Sequence, residues 1–162
     1  MSEKKYYSAE AKVAFTPTEE GREEIEKLTA EAEAAARKAY APYSKFKVGA
    51  AVLLANGEIV AASNQENAAY PSGLCAERVT LFYANAKYPD VAVRHLLIYA
   101  ENENGPVEPF ITPCGACRQV MTEKEYIQKS PMKVTLVGKT KVVTVPSVEH
   151  LLPFTFTTDN LF

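Results

Sequence analysis

Apolar residues recur along this chain with two different periods, and the changes of period mark its elements. Downstream of residue 21, Ile25, Leu28, Ala32, Ala35 and Ala39 fall at intervals of three and four, which predicts an amphipathic helix. Alanine dominates the stripe, so this face suits close packing. Thr16-Pro17-Thr18-Glu19 ahead of it reads as a capping box with proline at the first helical position. Pro42 disfavours helix in the residue before it, so the helix should stop near Tyr40. Lys47–Leu54 is an apolar run of strand length, Asn56-Gly57 a hairpin turn and Glu58–Ser63 the return strand.

The same reading predicts a helix over Cys75–Ala86, a strand over Val91–Tyr99, a polar loop over Glu101–Pro109 and a helix over Cys114–Tyr126. Two strands, Lys133–Val137 and Lys141–Val145, and a short helix over Ser147–Leu152 follow. Strands alternating with helices predict a layered α/β domain with a mixed sheet, its antiparallel part supplied by the hairpin. Residues 1–15 are polar with Tyr6, Tyr7, Val13 and Phe15 interspersed. They fit an added edge strand, a packed arm or a mobile tail.

Composition narrows the class. With 162 residues the chain is the size of one domain whose core needs no disulfide staples. A net charge of −2 with scattered Lys and Arg argues against a nucleic-acid-binding surface. No apolar run approaches the ~20 residues of a membrane span, and MSEKKYYSAE lacks the apolar stretch of a signal peptide. Three cysteines cannot all pair within one chain, so reduced thiols and a cytoplasmic location are expected.

Those three cysteines carry the chemistry. They stand as Cys75-Ala76-Glu77 and Pro113-Cys114-Gly115-Ala116-Cys117. A Cys-x-x-Cys pair places two sulfurs on one metal, and a distant third leaves one tetrahedral zinc position open. A glutamate two residues from the first ligand then suits the protons of a water there, which points to hydrolysis. The pattern matches the signature of zinc-dependent nucleobase deaminases, with Cys75 in a place many members give to histidine.

A redox pair and a structural zinc site with an unseen fourth ligand are the alternatives. Neither uses Glu77, and neither His95 nor His150 has ligand spacing. Both cysteine segments fall at predicted helix starts, where unpaired amides and the helix dipole favour thiolate. Residues i and i+2 of a helix face different sides, so the site requires Cys75 to lie just before its helix. Three thiolates on Zn²⁺ leave a net charge of −1. Arg78, three residues beyond Cys75, is placed to offset it.

Around these motifs the chain resembles the small cytidine deaminases. The resemblance runs through Ala41-Pro42-Tyr43-Ser44-Lys45-Phe46, Val48-Gly49-Ala50-Ala51, Asn64-Gln65-Glu66-Asn67-Ala68-Ala69-Tyr70, Cys75-Ala76-Glu77-Arg78 and Pro113-Cys114-Gly115-Ala116-Cys117-Arg118-Gln119. Leu151-Leu152-Pro153 with Phe156 extends it toward the C-terminus. It implies a three-layer α/β/α sandwich with a mixed sheet of about five strands. It also implies an N-terminal extension over residues 1–21 and a catalytic domain over 22–162.

The activity implied is hydrolytic deamination of cytidine and deoxycytidine, with one Zn²⁺ per subunit on Cys75, Cys114 and Cys117. Glu77 is implied as the proton shuttle. Asn64 and Glu66 are implied as partners of the ribose 3′-hydroxyl, Phe46 as the ring against the pyrimidine, and the Ala76 backbone as a partner of its polar edge. Tyr70 and Phe156 are implied to complete the pocket across a subunit boundary of a homotetramer, with the alanine-rich helix at an interface. Gln65 and Val79 depart from the usual residues. Relatives acting on blasticidin S, non-catalytic zinc modules and polynucleotide editors are the rival functions.

Overall fold

The computed structural model describes residues 4–11 and 14–162; the remainder of the 1–15 segment, with Val13, lies outside the described residues. The elements in chain order are β1 (Lys5–Ala11), β2 (Ala14–Pro17), α1 (Arg22–Ala36), β3 (Lys47–Leu54), β4 (Ile59–Ser63) and α2 (Ala76–Lys87). They continue with β5 (Val93–Asn102), β6 (Gly105–Pro106), α3 (Gly115–Gln128), β7 (Lys133–Val137) and β8 (Lys141–Val145). The strands form one sheet in the order β2-β1-β8-β7-β5-β3-β4, and β6 folds back on β5. Pairing is parallel between β5 and β7 and between β1 and β8, and antiparallel at the other junctions.

Side-chain alternation along the strands builds a core on each face of the sheet. Val48, Ala50, Val52 and Leu54 of β3 join Leu96, Ile98, Val134 and Leu136 on one face, under Leu81 and Ala84 of α2 and Met121 of α3. Ala51, Leu97, Tyr99, Val137 and Val142 take the other, under Ile25, Leu28, Ala32 and Ala36 of α1. The result is the expected α/β/α sandwich. Its five contiguous strands β8-β7-β5-β3-β4 are the mixed sheet legible in the hydrophobic pattern.

The alanine stripe of α1 is used inside the chain. Ala32 and Ala36 are fully buried, and a Cβ on Gly49 of β3 would fall 1.9 Å from the Ala32 carbonyl oxygen. Small residues on both sides let helix and sheet approach to backbone contact, so this face is not left for an interface.

Three boundaries differ most from the pattern. Helix α1 starts at Arg22, not at Pro17. Residues 14–17 pair with β1, the Thr18 hydroxyl accepts from the Glu20 N–H in a turn, and Gly21 turns the chain with φ of 71°. A long-range ladder has outcompeted a local capping signal. At its other end α1 stops at Ala36, because the Tyr40 backbone is drawn into hydrogen bonds with Asn64 and Glu66. Part of the expected Glu101–Pro109 loop is strand: β5 continues to Asn102 and reverses through Gly105, φ 98°.

Candidate metal and catalytic site

The site lies where β3 begins and β4 ends, beside the starts of α2 and α3. Cys75 and Cys114 are the N-cap residues of those helices, with extended dihedrals of −68°, 151° and −65°, 166°. Their carbonyls already accept the first helical bonds, from Val79 and Arg118, while their side chains stand outside the helical spiral. This meets the geometric condition raised by the Cys75/Glu77 spacing. Cys75 points from the cap, and Glu77 points from the first turn.

The three sulfurs lie within 4.8 Å of one another. Cys114 Sγ is 3.9 Å from Cys75 Sγ and 3.5 Å from Cys117 Sγ. Arg78 Nη2 donates to Cys75 Sγ at 3.7 Å. The Cys75 thiol is held down to about 5, first by the neighbouring Cys117 thiol and then, against burial, by Arg78 and Cys114. The same neighbour, Cys75, with burial and the Glu77 charge, pushes Cys117 up. The triad thus shares protons that one soft cation displaces on binding. Three converging sulfurs with a guanidinium beside them fit zinc.

Glu77 is buried, with 3% of its surface exposed, yet lines the same cavity of about 830 Å³ as Cys75, Arg78 and Cys114. Burial pushes its carboxyl up, and the Cys75 charge adds to that. Ala76 is fully buried between Cys75 and Glu77, and Cys117 is buried behind the other two sulfurs.

The opposite wall is built from residues 43–48 and 64–67. The chain at 64–66 is extended and pinned on both sides: Gln65 exchanges two 2.9 Å backbone bonds with Leu74, and Tyr40 binds Asn64 and Glu66 through backbone at 3.2 and 2.8 Å. Extended backbone sends Asn64 and Glu66 to the same side. Asn64 accepts from Val48 N–H at 2.8 Å and donates to the Phe46 carbonyl at 3.0 Å. Glu66 accepts from the Tyr43 and Ser44 N–H groups at 2.9 and 3.3 Å and from the Ser44 hydroxyl. That hydroxyl bond first, with the backbone donors, holds the Glu66 carboxyl below its usual range. Lys45 between them adopts a left-handed φ of 57°, a conformation stabilised by Ser44 Oγ accepting from Phe46 N–H at 3.0 Å.

The structure therefore brings Phe46, Asn64, Glu66, Tyr70, Cys75, Glu77, Arg78 and Cys114 to one cavity. Phe156 does not line it. That ring is more than half exposed on the C-terminal segment, whose Phe156 carbonyl accepts from Gln119 Nε2 at 2.8 Å. Sequence reasoning gave no role to Ser44, which organises the loop before Phe46, or to Ile111 and Thr112, which line the cavity just ahead of the second cysteine motif. Ser44 lay inside a quoted motif; Ile111 and Thr112 carried no local signal.

Fold and site together define a class: α/β/α proteins that hold a zinc ion on cysteines at two helix starts, beside a buried carboxylate. Comparison with known proteins agrees. Residues 22–133 match the family model described as the cytidine and deoxycytidylate deaminase zinc-binding region. The chain is 40% identical to a cytidine deaminase of Sporosarcina psychrophila over 138 residues, 85% of this chain and 95% of that protein. It is 37% identical to one of Halalkalibacterium halodurans, covering 83% and 95%. The crystal structure of a Burkholderia pseudomallei cytidine deaminase superposes with a TM-score of 0.70 at 38% identity, covering 81% of this chain and 98% of that one. The chain belongs to the cytidine deaminase family.

Proposed function

We propose that this protein hydrolyses cytidine and deoxycytidine to uridine and deoxyuridine with release of ammonia, as a cytoplasmic enzyme of pyrimidine salvage. The observation that carries the reading is the buried Glu77 opening onto the same cavity as the sulfurs of Cys75 and Cys114. Cys75, Cys114 and Cys117 would hold the zinc, which when bound would supply Lewis acidity to a water molecule. Glu77 moves the protons: it takes one from the attacking water, delivers it to ring N3, and carries the second to the amine leaving C4. Arg78 offsets the surplus thiolate charge.

Phe46 packs against the pyrimidine, and the Ala76 backbone meets its polar edge. Asn64 and Glu66 receive the ribose 3′-hydroxyl. Asn64 uses one acceptor site and one N–H on the Phe46–Val48 backbone, which leaves one of each for a ligand. Tyr70 and Phe156 complete the pocket across subunits of a homotetramer. The exposure of Phe82 and Tyr83 on α2 and of Phe154, Phe156, Leu161 and Phe162 beyond β8 supports association through apolar surface. Residues 1–21 are an arm outside the catalytic unit 22–162, since among the described residues the cavity draws on none before Tyr43.

The test is an ultraviolet assay on cytidine, deoxycytidine, cytidine monophosphate and blasticidin S, before and after zinc removal. Turnover of the first two, abolished by chelation and restored by zinc, is expected. Zinc-replete protein that leaves cytidine untouched would make the site a structural one.

A further inference from the structure

We propose that Arg118 is a positioning residue for the zinc ligand Cys114, clamping the turn that presents this thiolate to the C-terminal segment. Its guanidinium bridges two stretches of backbone. Nε donates to the Pro113 carbonyl at 2.8 Å, and Nη1 donates to the Leu151 carbonyl at 2.7 Å.

The location gives this contact its consequence. Cys114 sits at the N-cap with extended dihedrals, so the preceding peptide, not the helix, sets the direction of its side chain. Pro113 has no N–H, and its carbonyl is its single polar anchor. Arg118 supplies the partner of that carbonyl from the first turn of α3, the helix that also carries Cys117. The adjacent Gln119 binds the Phe156 carbonyl, so two neighbouring side chains hold the C-terminal segment, but only Arg118 also grips the ligand turn. A planar guanidinium serves two carbonyls in different directions; a lysine ammonium on a flexible stem is a poorer substitute.

The prediction rests on zinc occupying the three cysteines. Wild-type protein without stoichiometric zinc would refute that reading before any variant is compared. Glu125, near the other end of α3, provides the control. It accepts from the Met132 and Val148 N–H groups at 2.8 and 3.0 Å and from the Ser147 hydroxyl at 2.7 Å, fixing the same helix away from the ligands.

Zinc-loaded wild type, Arg118→Ala, Arg118→Lys and Glu125→Gln are challenged with a chromophoric chelator, and melting temperatures are measured in parallel. Arg118→Ala should lose zinc affinity by about 10–100-fold, the range found when groups that orient metal ligands are removed. Arg118→Lys should fall between it and wild type. Glu125→Gln should melt lower while keeping zinc close to the wild-type rate. The proposal is overturned if Arg118→Ala, or Arg118→Lys should the alanine variant not fold, releases zinc no faster than Glu125→Gln.

Discussion

Glu77 and Cys75 are neighbours but one in sequence, and the cavity they share depends on their having different backbones. Cys75 keeps extended dihedrals at the cap, and Glu77 enters the first helical turn. A carboxylate with 3% exposure is retained at a cost in desolvation, to which the Cys75 charge adds and which Arg78 moderates. Glu77→Gln keeps the shape and removes the carboxylate proposed to carry the protons. It should leave zinc content unchanged and lower the turnover of cytidine by about 10²–10⁴-fold, the usual worth of a positioned acid–base group. Near wild-type turnover in that variant, with zinc stoichiometry measured alongside, would remove Glu77 from the mechanism. The cysteine cluster was legible because spacing and residue type suffice to recognise metal ligands. The task of Ser44 was not, because its partners Glu66 and Phe46 meet only after β3 and β4 pair.

Among elements, the seam between α1 and the sheet carries a polar chain inside an apolar layer. His95 of β5, 2% exposed, bonds Glu24 of α1 through Nδ1 at 2.7 Å and Thr135 of β7 through Nε2 at 2.6 Å; Thr135 meets Thr144 of β8 at 2.7 Å. Burial holds His95 below its ordinary 6.5, against the pull of Glu24 and with the push of Lys133 and Arg94. Burial would raise Glu24, but the hydrogen bond and charge of His95, with Arg94 and Lys133, hold it below 4.5.

For a neutral buried His95 both shifts have one sign. As pH falls below about 6.5 the unfolded chain takes up the His95 proton before the folded chain does, and below about 4.5 the same holds for Glu24. Stability from both is thus lost on acidification. The melting temperature should fall between pH 7.5 and 5, and His95→Gln should narrow that fall, by roughly 2–4 °C for each kcal/mol removed. Zinc loss weighs on both proteins alike, so an unchanged fall in the variant would sink the assignment. The start of α1 was misread at this same scale. A local Thr-x-x-Glu signal cannot report that residues 14–17 have a strand partner.

At the scale of the molecule, β1 lies parallel to β8 through the register Lys5–Ser8 against Lys141–Thr144 and covers what would otherwise be the sheet edge. Arg22 of α1 sits 5.2 Å over the Tyr6 ring and fastens the arm to the helix layer. Deleting residues 1–21 should bare the backbone of β8, lower the melting temperature and increase self-association at high concentration, because an open edge invites pairing. Turnover of cytidine per zinc should persist, since among the described residues the cavity lining begins at Tyr43. Size-exclusion chromatography with light scattering reads the association. An unaltered profile would mean that the arm does not protect the edge. The local pattern of apolar and turn residues by itself determined five strands, the three helices and a layered α/β domain with a mixed sheet, and ligand spacing determined the metal centre, because both are written in residues near one another in the chain. Tertiary structure alone decided where α1 begins, that its alanine face is consumed by Gly49, and that Asn64, Glu66 and Ser44 support the Phe46 loop. Each of these is settled by partners far along the chain, whose hydrogen bonds and close contacts outweigh local propensity.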